Sequence, residues 1–144
     1  MQVTSILTNK GQQIFSISPD ATVAQLVDAL CEHRVGALLV LDGSGNIAGI
    51  VSERDVVRAL GTNPNALTDT VAAIMTSEVV TAADSADVAE LMQIMTERRI
   101  RHIPVLDDSG TLAGLVSIGD VVKNRMDELE TERSALVDYI TQGG

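Results

Sequence analysis

The chain has 144 residues, 45% hydrophobic but only 1% aromatic, so its core must be built from aliphatic side chains. Twenty Asp and Glu against ten Lys and Arg give a formal net charge of −10, which excludes a general binder of nucleic-acid backbones. No apolar run approaches the roughly 20 residues of a membrane span. The single Cys31 excludes an internal disulfide or a cysteine-based metal cluster, and it reads as a packed thiol. The first residues lack the basic-then-apolar layout of a secretory signal, and a cytoplasmic protein is the expectation. Length allows one compact domain or two small, intimately packed halves.

Residues 1–13 read as a lead-in with a few apolar positions (Val3, Ile6, Leu7) and a break at Lys10-Gly11. Ile14 to Ile17 alternates as a short strand. Ser18 to Thr22 is turn and cap chemistry, and Val23, Leu26, Val27 and Leu30 then keep helical spacing up to His33. His33 itself reads as a surface cap. The continuous apolar run Ala37–Leu41 predicts a buried strand. Asp42 to Asn46 is a hairpin turn of the Asp-Gly kind, Ile47–Val51 the returning strand, and Ser52 opens a helix to Leu60. A polar connection from Gly61 and a short helix over Val71–Met75 follow.

The same order then starts again. Val79–Thr81 is the short strand, Val88, Leu91, Met92 and Met95 the helical stripe, Ile103–Leu106 the buried strand, and Leu112–Val116 its return. Positions 21–60 and 86–125 align without a gap at a shift of 65, with 18 identities in 40. Identity spread over every predicted element marks a duplicated unit. The predicted organisation is a lead-in 1–13, a first repeat 14–61, a linker with a short helix 62–78, a second repeat 79–125 and a helical extension 126–144. Each repeat alone is too small to bury its apolar face. The two are expected to pack face to face with pseudo-twofold symmetry, an α+β arrangement with clefts where the strand-to-helix turns converge. In the extension, Val122, Met126, Leu129, Leu136 and Ile140 form an apolar stripe opposite acidic residues, suited to docking on the body or on a second subunit.

The most informative stretch occurs twice: Gly49-Ile-Val-Ser-Glu-Arg-Asp55 and Gly114-Leu-Val-Ser-Ile-Gly-Asp120. Ser is a preferred N-cap, so Ser52 and Ser117 should cap helices whose first turns carry Asp55 and Asp120. Such an acid has two readings. It can bond back to the cap residue as a capping box, or it can accept hydroxyls of a sugar, as the ribose-binding acid of dinucleotide folds does. Free N–H groups at the same helix start attract anions, and Arg98, Arg99, Arg101 and His102 gather cationic capacity within five residues. Arg98 and Arg99 also suit a helix C-terminus.

The two signatures, with Arg98-Arg-Ile-Arg-His-Ile-Pro-Val-Leu-Asp107, resemble cystathionine-β-synthase (CBS) domains over about residues 14–125. The chain is similar to stand-alone bacterial CBS pairs that also carry a Lys-Gly lead-in and an acidic C-terminal helix. The resemblance implies a tandem CBS pair, or Bateman module. Such a pair is a regulatory unit that binds AMP, ATP, NAD or S-adenosylmethionine between its repeats and commonly forms a homodimer. Carried onto this sequence, Asp55 would hold ribose and Ser52 would touch phosphate. Val80, Thr81 and Ile100 would line the adenine slot, with Arg54, Arg101 and His102 on phosphate. At the other site Asp120 would take ribose, Ser117 phosphate, and Phe15, Ser16, Val35 and Gly36 would surround the base. Gly119, Gly36 and Ala37 stand where the first site has Arg54, Arg101 and His102, so the Asp55 site is expected to be the stronger for AMP or ADP.

Ser, His and Asp also serve hydrolases, but neither repeat has the Gly-x-Ser-x-Gly elbow or a histidine beside its serine. Two histidines far apart offer no metal site. The expectation is therefore a nucleotide-binding regulator with no catalysis, no catalytic cofactor and no metal, signalling to an unknown effector. A structural dimerisation module with vestigial clefts is the alternative.

Overall fold

A computed structural model of the chain describes residues 1–11 and 13–143. It divides into two units, Gln13–Val80 and Met1–Gln12 with Thr81–Gly144. In chain order the elements are α1 (Val3–Lys10), β1 (Ser16–Ile17), α2 (Val23–His33), β2 (Ala37–Leu41), β3 (Ile47–Ser52), α3 (Glu53–Thr62) and α4 (Val71–Ile74). The second half continues with β4 (Ala82–Ala83), α5 (Val88–Arg98), β5 (His102–Leu106), β6 (Leu112–Ser117) and α6 (Ile118–Gly143). A 3₁₀ turn at Ala66–Thr68 lies between α3 and α4.

The unit of the first repeat holds the sheet β1-β2-β3, parallel then antiparallel. Residues Ala37 to Val40 of β2 are buried, as a strand covered on both faces requires. Thr22 caps α2 in a capping box with Gln25, and Arg34 ends it in the left-handed conformation. Val23, Leu26, Leu30, Leu38, Val40, Val51, Val56 and Val71 form the core.

The unit of the second repeat holds the sheet β4-β5-β6 in the same sense. Seven of those eight core positions recur 65 residues on, at Val88, Leu91, Met95, Ile103, Val105, Val116 and Val121. The eighth, Val71, has its counterpart in Val3 of α1. The duplication thus fixes the same packing twice, and it extends into the lead-in.

That extension corrects the reading of residues 1–13 as a short lead-in. Val3, Ile6, Leu7 and Thr8 stand 68 residues before Val71, Ile74, Met75 and Thr76. Their backbones are tied down alike. Val3 donates to the Ala86 carbonyl and Val88 to that of Met1, while Val71 donates to Ala21 and Val23 to Asp69, all at 2.8–3.0 Å. Helix α1 is therefore the missing α4 of the second unit.

The short strands also shift. Pairing in the first unit begins at Ser16 opposite Leu39, but in the second at Ala82 opposite Val105. Pro104 replaces Leu39 and has no N–H for the ladder, so the strand expected at Val79–Thr81 forms later, at Ala82–Ala83.

Gly49 and Gly114 are equivalent and both crowded, against different neighbours. A Cβ on Gly49 would lie 2.7 Å from the Thr76 carbonyl oxygen and 2.8 Å from Met75 Sδ; on Gly114 its nearest neighbours would be atoms of the Leu7 side chain, the first at 2.5 Å. Backbone cannot step aside as a leucine rotamer can. Gly49→Ala is therefore expected to destabilise by about 2–3 kcal/mol and Gly114→Ala by about half that, in urea unfolding of each variant. Equal losses would refute the distinction.

Candidate functional site

Both strand-to-helix turns are built from the backbone up. The Gly36 carbonyl accepts the Glu53 amide at 2.9 Å, and in the second unit the Arg101 carbonyl accepts the Ile118 amide at 2.8 Å. Each bond anchors the start of the helix to the loop that enters the central strand. In the cross-strand register Ala37 faces Ser52, and His102 faces Ser117. Arg101 and His102, assigned by resemblance to the Asp55 site, thus adjoin Ser117 of their own repeat through the backbone.

Both acids are in the capping box that the local reading anticipates. The Ser52 amide donates to Asp55 Oδ2 at 2.8 Å and the Ser52 hydroxyl at 3.1 Å, while Ser52 Oγ accepts the Asp55 amide at 3.4 Å. The Ser117 amide donates to Asp120 Oδ2 at 2.9 Å, and Ser117 Oγ accepts the Asp120 amide at 3.2 Å. Both carboxylates are half-buried. Among the described residues, every hydrogen bond that either carboxylate accepts goes to Oδ2. The capping role therefore leaves Oδ1 of each as an acceptor for a hydroxyl.

The other expected site residues are dispersed over the two units. In the first, Arg54 is exposed on the first turn of α3, Ser16 lies in β1, and Val35 precedes Gly36 at the entry to β2. Phe15 stacks on His33, ring centroids 3.9 Å apart at 16°, so the imidazole already covers one of its faces. Val80 is half-buried at the end of that unit. In the second, Thr81 is exposed before β4, Ile100 packs against the core, and Arg101 is exposed. Arg98 ends α5 and Arg99 is its left-handed C-cap, the helix-end role expected of them. Among the described residues no group of three or more His, Cys, Asp and Glu is placed to hold a metal, and no helix is long and apolar enough to cross a membrane.

One residue in contact with the candidate site escaped the sequence reading. Lys10, at the end of α1, places its ammonium 2.7 Å from Asp120 Oδ2 and 2.7 Å from the Leu115 carbonyl oxygen. The comparison of Gly119, Gly36 and Ala37 with Arg54, Arg101 and His102 does not include this cation, which stands beside Asp120. A separation of 110 residues explains why no spacing rule reveals it. Burial pushes the Asp120 carboxyl up, but the Lys10 hydrogen bond, the Ser117 bonds and the Lys10 charge together hold it below the ordinary 3.8. A carboxyl lowered in the folded state stabilises it above the unfolded value, and this contribution is lost as pH falls through the folded one. Lys10→Met is expected to cost about 0.5–1 kcal/mol at neutral pH, since the pair is partly exposed. In urea unfolding the gap from wild type should shrink once pH falls below 3.8; a gap that persists there would refute the ion pair as its source.

Residues 3–62 and 71–127 match the CBS domain family. The chain is 37% identical over 151 aligned residues to CBS domain-containing protein CBSX3, mitochondrial, of Arabidopsis thaliana, covering 99% of this chain and 72% of that protein. Among solved structures it is similar to a CBS-domain containing protein of Agrobacterium tumefaciens, with TM-score 0.83 and 38% identity over 86% of this chain and 92% of the other. It is also similar to a CBS domain protein of Pyrobaculum aerophilum complexed with AMP, with TM-score 0.75 and 26% identity over 83% of this chain and 89% of that one. Two repeats of one topology, each with a Ser-capped, acid-bearing helix start, and a family match across nearly the whole chain give one conclusion: the protein belongs to the CBS domain family as a tandem pair.

Proposed function

We propose that this CBS pair is a regulatory module that binds an adenine nucleotide, AMP first and ADP, ATP or NAD(H) as further candidates, and performs no catalysis. The observation that carries the reading is the doubled helix start, where a half-buried carboxylate keeps an oxygen outside its capping box. The AMP complex of the Pyrobaculum relative supports the choice of ligand class. Asp55 and Asp120 would each accept ribose hydroxyls, with Ser52 and Ser117 toward phosphate at the positive end of the helix. Bound ligand would favour one conformation of the pair by differential affinity and pass the signal to an effector protein.

A second reading has an observation of its own. On α6, Val122, Met126, Leu129, Leu136 and Ile140 are between 49% and 65% exposed and recur at heptad spacing. This stripe suits a homodimer, and a module acting through dimerisation alone would need no ligand. Thermal unfolding with millimolar AMP, ATP, NADH and S-adenosylmethionine separates the two. The nucleotide reading expects a stabilisation that grows with ligand concentration and is reduced in Asp55→Ala, Asp120→Ala or both. No shift with any of the four would favour the dimerisation module.

A further inference from the structure

The two units differ at one point of their shared design. In the first, helix α4 stops at Ile74, and the Thr76 amide donates to the Ile50 carbonyl at 2.9 Å, closing an isolated β-bridge against β3. The equivalent carbonyl in the second unit is that of Leu115, at the repeat shift of 65. There α1 does not stop at the matching position; it runs on through Lys10, and the Lys10 ammonium takes the Leu115 carbonyl at 2.7 Å. The same ammonium reaches Asp120 Oδ2 at 2.7 Å. A side-chain cation thus stands where the first unit uses a backbone N–H, and among the described residues it pairs with the acid of the second helix start and not with that of the first. Among the described residues Asp55 accepts hydrogen bonds only from Ser52, and the residue 68 places after Lys10 is the acidic Glu78.

We propose that Lys10 is the specificity-determining residue of the Asp120 helix start, compensating the carboxylate so that this end takes phosphorylated adenosine in preference to the neutral nucleoside. The inference rests on the adenine-nucleotide reading above. An uncompensated aspartate repels a phosphate and offers its full acceptor strength to hydroxyls, which favours a neutral ribose. Pairing with an ammonium removes the repulsion and weakens the carboxylate as an acceptor for hydroxyls. An ammonium has three donors, and two are spent on Leu115 and Asp120. The third can meet an oxygen of the ligand.

Calorimetric titration of the full chain with AMP and with adenosine tests this in an Asp55→Asn background, so that the Asp120 end reports. Adding Lys10→Met should lower the ratio of AMP to adenosine affinity roughly fivefold at low salt, the loss expected for one charge near a phosphate in a water-like dielectric. The effect should fade with added salt, and Lys10→Arg should restore the ratio. A purely structural role would weaken both ligands together and leave the ratio unmoved. An unchanged or increased ratio overturns the inference, as does loss of all binding in Asp55→Asn with and without Lys10→Met, while wild-type binding would keep the nucleotide reading intact. Failure of wild type to bind either ligand refutes that reading and the inference with it.

Discussion

A bond between a serine amide and a carboxylate three residues later organises this molecule. It closes the first turn of α3 and of α6, and in each case a carbonyl from the preceding loop, Gly36 or Arg101, secures the same turn from the other side. A helix start tied at two points holds its acid at a fixed height above the strand end. An acid fixed at the positive end of a helix is an arrangement that a sugar and its phosphate can use with little further ordering cost. The bond is thus both a structural cap and the positioning device for the proposed ligand. The cap uses one oxygen of the carboxylate, and the proposed ligand would use the other.

Much of this was legible in the residues because it depends on local chemistry. The apolar run Ala37–Leu41 is β2 to the residue, and Ser52 caps α3 as its type and place require. The gapless shift of 65 carried the second core from the first. What escaped depends on distant partners. Helix α1 has only Val3, Ile6 and Leu7 to mark it, and it packs against β6 and α6, more than 100 residues away in sequence. Its kinship with α4 lies at a shift of 68, which a gapless comparison at 65 cannot register. The β4 boundary moved because one proline removed one donor. At the candidate site the acids and caps were readable, whereas Lys10 was not, since nothing near it in sequence announces Asp120.

Duplication supplies two copies of one scaffold, and in the proposed reading the differences between them would carry the specificity. A helix longer than its counterpart, ending in a lysine, converts the second acid from a bare carboxylate to half of an ion pair. Arg54 in one repeat and Gly119 in the other differ in the opposite sense, with the side-chain cation next to Asp55. Charge at each helix start, more than shape, distinguishes the two ends, because the cores beneath them match position by position.

Crystals of the full chain grown with AMP would test the central claim most directly. The account predicts ribose hydroxyls within hydrogen-bond distance of the Asp55 or Asp120 carboxylate, with the serine–aspartate bond of that turn intact. AMP bound away from both acids, or bound only after the capping bond has broken, would contradict it.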